Sequence, residues 1–179
     1  MELTRAFRTF IPIIMKHLYL VRHAKSSWEL DFPDIERTLN ERGYRDAHLV
    51  GKYLSENIEH RPDAVVCSPS VRTYTTALIF LPYLKFPVGK LMLARNLYES
   101  GPEDYLNTIS ETSDEINTLM LFGHNPTISE LTNRLTGRNS ESLGTTNVAE
   151  ITLAISFWEK IKAGCGKLLR VIDPKEIQD

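Results

Sequence analysis

Three short segments of this chain carry apolar side chains at odd and even positions alike: His17-Leu18-Tyr19-Leu20-Val21, Ala64-Val65-Val66-Cys67 and Leu119-Met120-Leu121-Phe122. Successive side chains of a strand point to opposite faces, so a strand with one wet face alternates apolar with polar residues. Segments that are apolar on both faces are covered on both faces, as in a parallel sheet flanked by helices. Helical periodicity fills the intervals. Residues 41–57 place Tyr44, Ala47, Val50 and Leu54 at spacings of three and four, with Asn40 at the N-cap. Residues 69–82, 102–110 and 126–136 read as three more helices, and Lys90 to Ala94 as a further strand. Near the end, Val148 to Ile155 and Lys167 to Ile172 read as a hairpin, with Gly164 and Gly166 in its turn. This order predicts a three-layer α/β/α sandwich with a mainly parallel central sheet.

A chain of 179 residues, 42% hydrophobic and 25% charged, is long enough to bury one core of this kind and too ordinary in composition to be disordered. The expected organisation is a single domain over 15–179 with an N-terminal extension at 1–14. That extension carries Arg5 and Arg8 but lacks the long apolar region and small-residue cleavage site of a signal peptide. The expected compartment is therefore the cytoplasm. A net charge of −2 gives no general attraction to nucleic acid or to an anionic membrane, so neither is expected as a partner. The two cysteines, Cys67 and Cys165, form no CxxC pair, and no metal-ligand spacing is present. Neither a metal nor a cofactor is expected. The sequence leaves the oligomeric state open.

Ligands of open parallel sheets collect at the carboxyl ends of the strands. The residues just after each apolar run are therefore informative. The first run leads into Arg22-His23-Ala24-Lys25-Ser26, the second into Ser68-Pro69-Ser70-Val71-Arg72, the third into Gly123-His124-Asn125-Pro126. Two histidines and two arginines thus gather at one sheet edge. Ser68 and Asn125 read as N-caps with Pro69 and Pro126 at the first helical positions, which turns two helix N-termini toward the same edge. Helix N-termini and forked guanidinium donors together suit phosphate. A neutral imidazole beside them can attack phosphorus and split hydrolysis into two steps through a phosphohistidine, and neighbouring arginines disfavour its charged form. His23, next to Arg22 and directly after the first strand, is the better nucleophile of the two.

These pieces resemble the histidine phosphatase superfamily, whose fold is phosphoglycerate mutase-like. Leu20 to Ala24 is similar to its Arg-His-Gly signature, Cys67 to Ala77 to its second block, and Gly123 to Pro126 to its third. Arg22 to Trp28, Leu39 to Gly43 and Leu97-Tyr98-Glu99 are similar to the SixA-like phosphohistidine phosphatases, and Thr145 matches a threonine turn of that branch. The resemblance implies that His23 is phosphorylated, that Arg22 and Arg72 bind the phosphoryl oxygens, and that His124 stabilises developing charge. Glu99 lies about where many members carry a general acid. Lys25 and Ser26 follow the nucleophile on the loop rimming the pocket, and Arg37 lies where the family brings further polar groups toward phosphate; all three are candidate substrate-binding residues. Trp28 is expected to be half-buried, anchoring its loop. The short connections imply an open, shallow site that suits a phosphorylated protein or a small phosphomonoester. Three functions are compatible with these parts. One is a metal-independent phosphatase for protein phosphohistidine. The second is a broader phosphomonoesterase acting on small molecules or on phosphoserine and phosphothreonine. The third is a phosphate-binding module without catalysis.

Overall fold

The computed structural model describes residues 15–28, 32–139 and 142–177; the extension expected at 1–14 lies outside them. Strand β1 (Lys16–Arg22) leads through a 3-10 turn (Asp34–Glu36) to helix α1 (Glu41–Asn57). Then come β2 (Ala64–Cys67), α2 (Val71–Leu84), the two-residue strand β3 (Met92–Leu93), α3 (Pro102–Ser110), β4 (Thr118–Gly123), α4 (Thr127–Thr136) and the hairpin β5 (Val148–Leu153) and β6 (Gly166–Ile172). The six strands form one sheet in the order β3-β2-β4-β1-β5-β6. The first four are mutually parallel, and β5 and β6 are added antiparallel. The expected mainly parallel sheet is present.

Both sheet faces are covered, as the doubly apolar strands require. Tyr19, Val21, Val65, Cys67, Met120 and Phe122 point to one side, against Ala47, Val50 and Leu54 of α1 and Ala77, Phe80, Leu81 and Leu84 of α2. Leu18, Leu20, Val66, Leu119 and Leu121 point to the other, against Tyr105 and Ile109 of α3, Ile128, Leu131 and Leu135 of α4, and Trp158. These side chains are nearly all fully buried, and each of the valines, leucines, isoleucines and phenylalanines among them contributes on the order of 1.5–3 kcal/mol by leaving water. The result is three layers. Among the described residues no helix is long and apolar enough to cross a membrane.

Helix α1 starts as expected: the Asn40 side chain accepts a hydrogen bond from the Gly43 N–H at 2.9 Å. Gly43 also lets the loop after His23 lie directly on the helix. A Cβ there would stand 2.1 Å from the Lys25 carbonyl oxygen. Helix α2 begins at Val71, two residues later than expected, because the Ser68 N–H still bonds to the Phe122 carbonyl in the sheet ladder; Ser70, not Ser68, is the N-cap. Helix α4 begins at Thr127 with Pro126 at the cap position, so Asn125 is not its cap. The Asn125 side chain accepts from Ser129 Oγ and donates to the Leu143 carbonyl. The strand expected over 90–94 shrinks to β3 because Val88–Lys90 closes into a 3-10 turn. Gly164 occupies the hairpin turn at φ 73°, whereas Gly166 already belongs to β6.

Candidate active site

The strand order decides which chain segments meet. β4 lies between β2 and β1, so the residues just beyond these three strands are neighbours at one edge. The ladder continues past the strand ends: the His23 N–H bonds to the Gly123 carbonyl at 3.1 Å. The imidazoles of His23 and His124 face each other with ring centroids 5.2 Å apart, and both are half-buried.

Arg72, in the first turn of α2, reaches between them. Its Nε donates toward His23 Nε2 at 3.3 Å, and its Nη2 lies 3.5 Å from His124 Nδ1. His23 Nδ1 is 2.8 Å from the Ala24 carbonyl. A carbonyl only accepts, so Nδ1 carries the proton and Nε2 keeps the lone pair. Burial is the main force that holds the His23 imidazole neutral. His124, Arg72 and Arg22 add to it, against the Ala24 hydrogen bond, and the pKa falls to about 3. His124 is lowered to about 4, again chiefly by burial, with Arg72 and Arg22 assisting and Asp34 opposing.

His124 Nε2 lies 2.8 Å from Ser68 Oγ and 3.3 Å from Thr73 Oγ1. A hydroxyl donates as readily as it accepts. Rotation of the Ser68 hydroxyl hydrogen is therefore enough to accommodate a proton on either ring nitrogen of His124. With the proton on Nδ1, the ring presents a donor beside the Arg72 guanidinium. The sequence pattern suggests a helix cap for Ser68, and its place next to the second histidine is the better description. The backbone of His124 is fixed by the buried Tyr105, whose hydroxyl accepts its N–H at 3.2 Å and donates to the Leu97 carbonyl.

Arg22 is anchored by an Nη1 hydrogen bond to the Leu143 carbonyl at 2.8 Å, while its buried Nε has no partner among the described residues. Its own carbonyl and that of His23 both accept from the Thr146 N–H. Thr146, at φ 69°, makes the turn there, and Thr145 precedes it.

Of the other sequence candidates, Lys25 is exposed on the loop after His23. Ser26 is buried and accepts from Arg37 Nη2 at 2.6 Å. Arg37 is buried too, bonding to Ser27 and Asp34 and standing under the Trp28 ring at 3.2 Å. It does not touch the imidazole pair and is linked to Arg72 only through Asp34. Trp28 itself is 75% exposed, not half-buried as expected, because it stacks its face on a guanidinium instead of entering the core. Glu99 is exposed at φ 52° and adjoins Tyr98. The Tyr98 ring packs edge-on against His124, centroids 5.7 Å apart, and its hydroxyl donates to Asp34 Oδ2 at 2.9 Å. Asp34 also pairs with Arg72 Nη2 at 2.7 Å. The Asp34–Tyr98 bond ties the 3-10 turn to the segment before α3 beside His124. Asp34 carries no sequence signal beyond the turn-forming Pro33-Asp34 pair, which says nothing of a partner 38 positions away.

Comparison with known proteins bears on this site. The model of the histidine phosphatase superfamily (branch 1) matches residues 18–97. An uncharacterized protein of Mycobacterium tuberculosis is 31% identical over 159 residues, spanning 83% of this chain and 96% of its own. One from Mycobacterium leprae is 33% identical over 141 residues, spanning 76% and 81%. The structure of the protein histidine phosphatase SixA complexed with tungstate superposes with a TM-score of 0.74 at 19% identity, covering 90% of this chain and 99% of that one. At that identity the likeness is one of fold.

Proposed function

We propose that this chain, which belongs to the histidine phosphatase superfamily, is a metal-independent phosphatase that acts on protein phosphohistidine through a phosphorylated His23. One observation carries the reading: His23 presents a lone pair at Nε2 to the same guanidinium edge that would hold a phosphoryl group. An incoming phosphate takes over the Nε–Nη2 edge of Arg72, the edge turned toward the imidazoles, and the Nε of Arg22. That frees the His23 lone pair in line with phosphorus. The Nε2–P bond forms as the bond to the leaving group breaks. His124, protonated at Nδ1, faces the charge that builds on the phosphoryl oxygens. Water then attacks phosphorus, the Nε2–P bond breaks, and phosphate leaves with the lone pair returned to Nε2.

The leaving group decides the substrate. An alkoxide needs a proton as it departs, and an imidazole needs much less help. Asp34, the carboxylate on Arg72, is held ionised and brings no proton, which favours a P–N bond as the natural substrate. Glu99 supports the second reading, a phosphomonoesterase on small molecules or phosphoserine and phosphothreonine, because it stands at the rim next to Tyr98.

The test compares turnover of a phosphohistidine protein, a phosphoserine peptide and an aryl phosphate, all in EDTA. Faster turnover of phosphohistidine, with label on His23 after an alkaline quench, is the expected result. Preference for phosphoserine supports the phosphomonoesterase instead. Label on His124, or full activity of His23→Ala, refutes the assignment of the nucleophile.

A further inference from the structure

We propose that Asp34 is a positioning residue of this site: it grips one edge of the Arg72 guanidinium and so aims the opposite edge at His23 and His124. This rests on the phosphatase reading and adds a residue to it.

A guanidinium is planar, with its N–H donors fixed in that plane. Nη1 and Nη2 share one edge; Nε and Nη2 share another. In this protein both are assigned. The Nη1–Nη2 edge meets the Asp34 backbone carbonyl and, at 2.7 Å, its carboxylate Oδ2. The Nε–Nη2 edge faces His23 Nε2 at 3.3 Å and His124 Nδ1 at 3.5 Å. Holding a rigid plane by one edge fixes the direction of the other, so the grip of Asp34 sets where Arg72 presents its fork to phosphate.

Asp34 is itself well fixed for a side chain 45% exposed. Oδ1 accepts from Arg37 Nη1 at 2.9 Å and Oδ2 from the Tyr98 hydroxyl at 2.9 Å. Arg37 is tied down in turn by Ser26, Ser27 and Trp28. The carboxylate thus joins three stretches of chain: the 3-10 turn, the first turn of α2 and the residues before α3. Burial alone would raise its pKa, but the hydrogen bonds from Arg72 and Tyr98 and the Arg72 charge outweigh that and hold it at about 2. Asp34 is therefore an anion under any assay condition and not a proton donor. It also cancels part of the Arg72 charge, so its benefit lies in direction and not in attraction for the anion. Loss of Asp34 should lower kcat and leave KM nearly unchanged.

The experiment is a double-mutant cycle of Asp34→Asn and Arg72→Lys in the full chain, read with an aryl phosphate. Asp34→Asn alone should lose about 10- to 100-fold in kcat, as expected for misaiming one transition-state donor, with KM within about threefold of wild type. In the Arg72→Lys background the same change should cost less than about threefold, because an ammonium has no edge to aim. Wild-type kinetics for Asp34→Asn, an equal loss in both backgrounds, or a loss confined to KM each overturn the proposal and leave the phosphatase reading standing. No turnover by the wild type overturns the phosphatase reading instead. Orthovanadate titrated calorimetrically into the four proteins then decides on Asp34. About tenfold weaker binding in Asp34→Asn, absent from the Arg72→Lys background, supports the grip, and equal binding refutes it.

Discussion

Gly43→Ala sets two effects against each other at a position remote from the chemistry. Alanine within a helix gains up to about 1 kcal/mol over glycine, and less in the first turn, where Gly43 lies. Against this, the added Cβ would stand 2.1 Å from the Lys25 carbonyl oxygen and 3.0 Å from the Lys25 nitrogen. These are backbone atoms, held by the Asn40 N–H on that same carbonyl at 3.0 Å, so no rotamer change relieves the clash. Ordinary contact requires the loop to retreat by roughly 1 Å, and overpacking of this kind costs about 1–3 kcal/mol. The clash wins, for a net loss of up to about 2 kcal/mol. Lys25 is two residues from His23, and the Ala24 carbonyl between them fixes the His23 tautomer. A shift of that size in a positioned group costs on the order of 10²-fold in rate. Urea unfolding and aryl phosphate turnover measure the two losses. Gly51→Ala in the same helix is the control, since its Cβ meets only the side chain of Tyr83. It should keep full activity. A Gly43→Ala protein as stable and as active as wild type refutes the reasoning.

Other outcomes are tied to the same geometry. Arg72→Lys keeps the charge and loses the fork, so kcat/KM should fall on the order of 10- to 1000-fold; wild-type kinetics would rule out a two-donor role. His17, His23 and His124 are all held below the ordinary histidine pKa, chiefly by burial, so the unfolded chain binds more protons than the folded one below about pH 6.5. Stability is full above that pH and should fall as the pH drops through the window toward 4, by up to about 1.4 kcal/mol per pH unit for each of His23 and His124; a urea midpoint unchanged between about pH 7.5 and 5 contradicts this. Glu99→Gln should slow phosphoserine hydrolysis far more than aryl phosphate hydrolysis if Glu99 protonates the leaving group. Equal slowing of both would make Glu99 a positioning residue, and no effect would return it to the solvated rim.

The part of the site legible in the sequence is the part set by strand ends. A doubly apolar run shows where its strand stops, and a parallel sheet brings those stops to one edge. His23, Arg72 and His124 can therefore be placed together from the residue order alone. The role of Ser68 cannot, because Ser68 and Ser70 offer the same capping chemistry two residues apart, and only the bond from Ser68 to Phe122 on the neighbouring strand decides between them. Asp34 is hidden for a stronger reason. It sits in a 3-10 turn of three residues, too short for any periodicity, and its meaning comes from a contact with another segment. For Trp28, the average behaviour of tryptophan predicts half-burial, and the local guanidinium decides otherwise.

That exposed tryptophan gives the protein a built-in pair of optical reporters. The chain contains two tryptophans. Trp158 is fully buried, with its indole N–H on the Ile116 carbonyl, on the opposite side of the sheet from α1 and α2. Its emission senses the integrity of the core. Trp28 stands in water over Arg37, two hydrogen-bonded steps from Arg72. Its quenching senses the arrangement around Asp34. With Trp158→Phe or Trp28→Phe each signal can be recorded alone, so anion binding at the edge of the sheet and melting of its interior become separate traces from one cuvette.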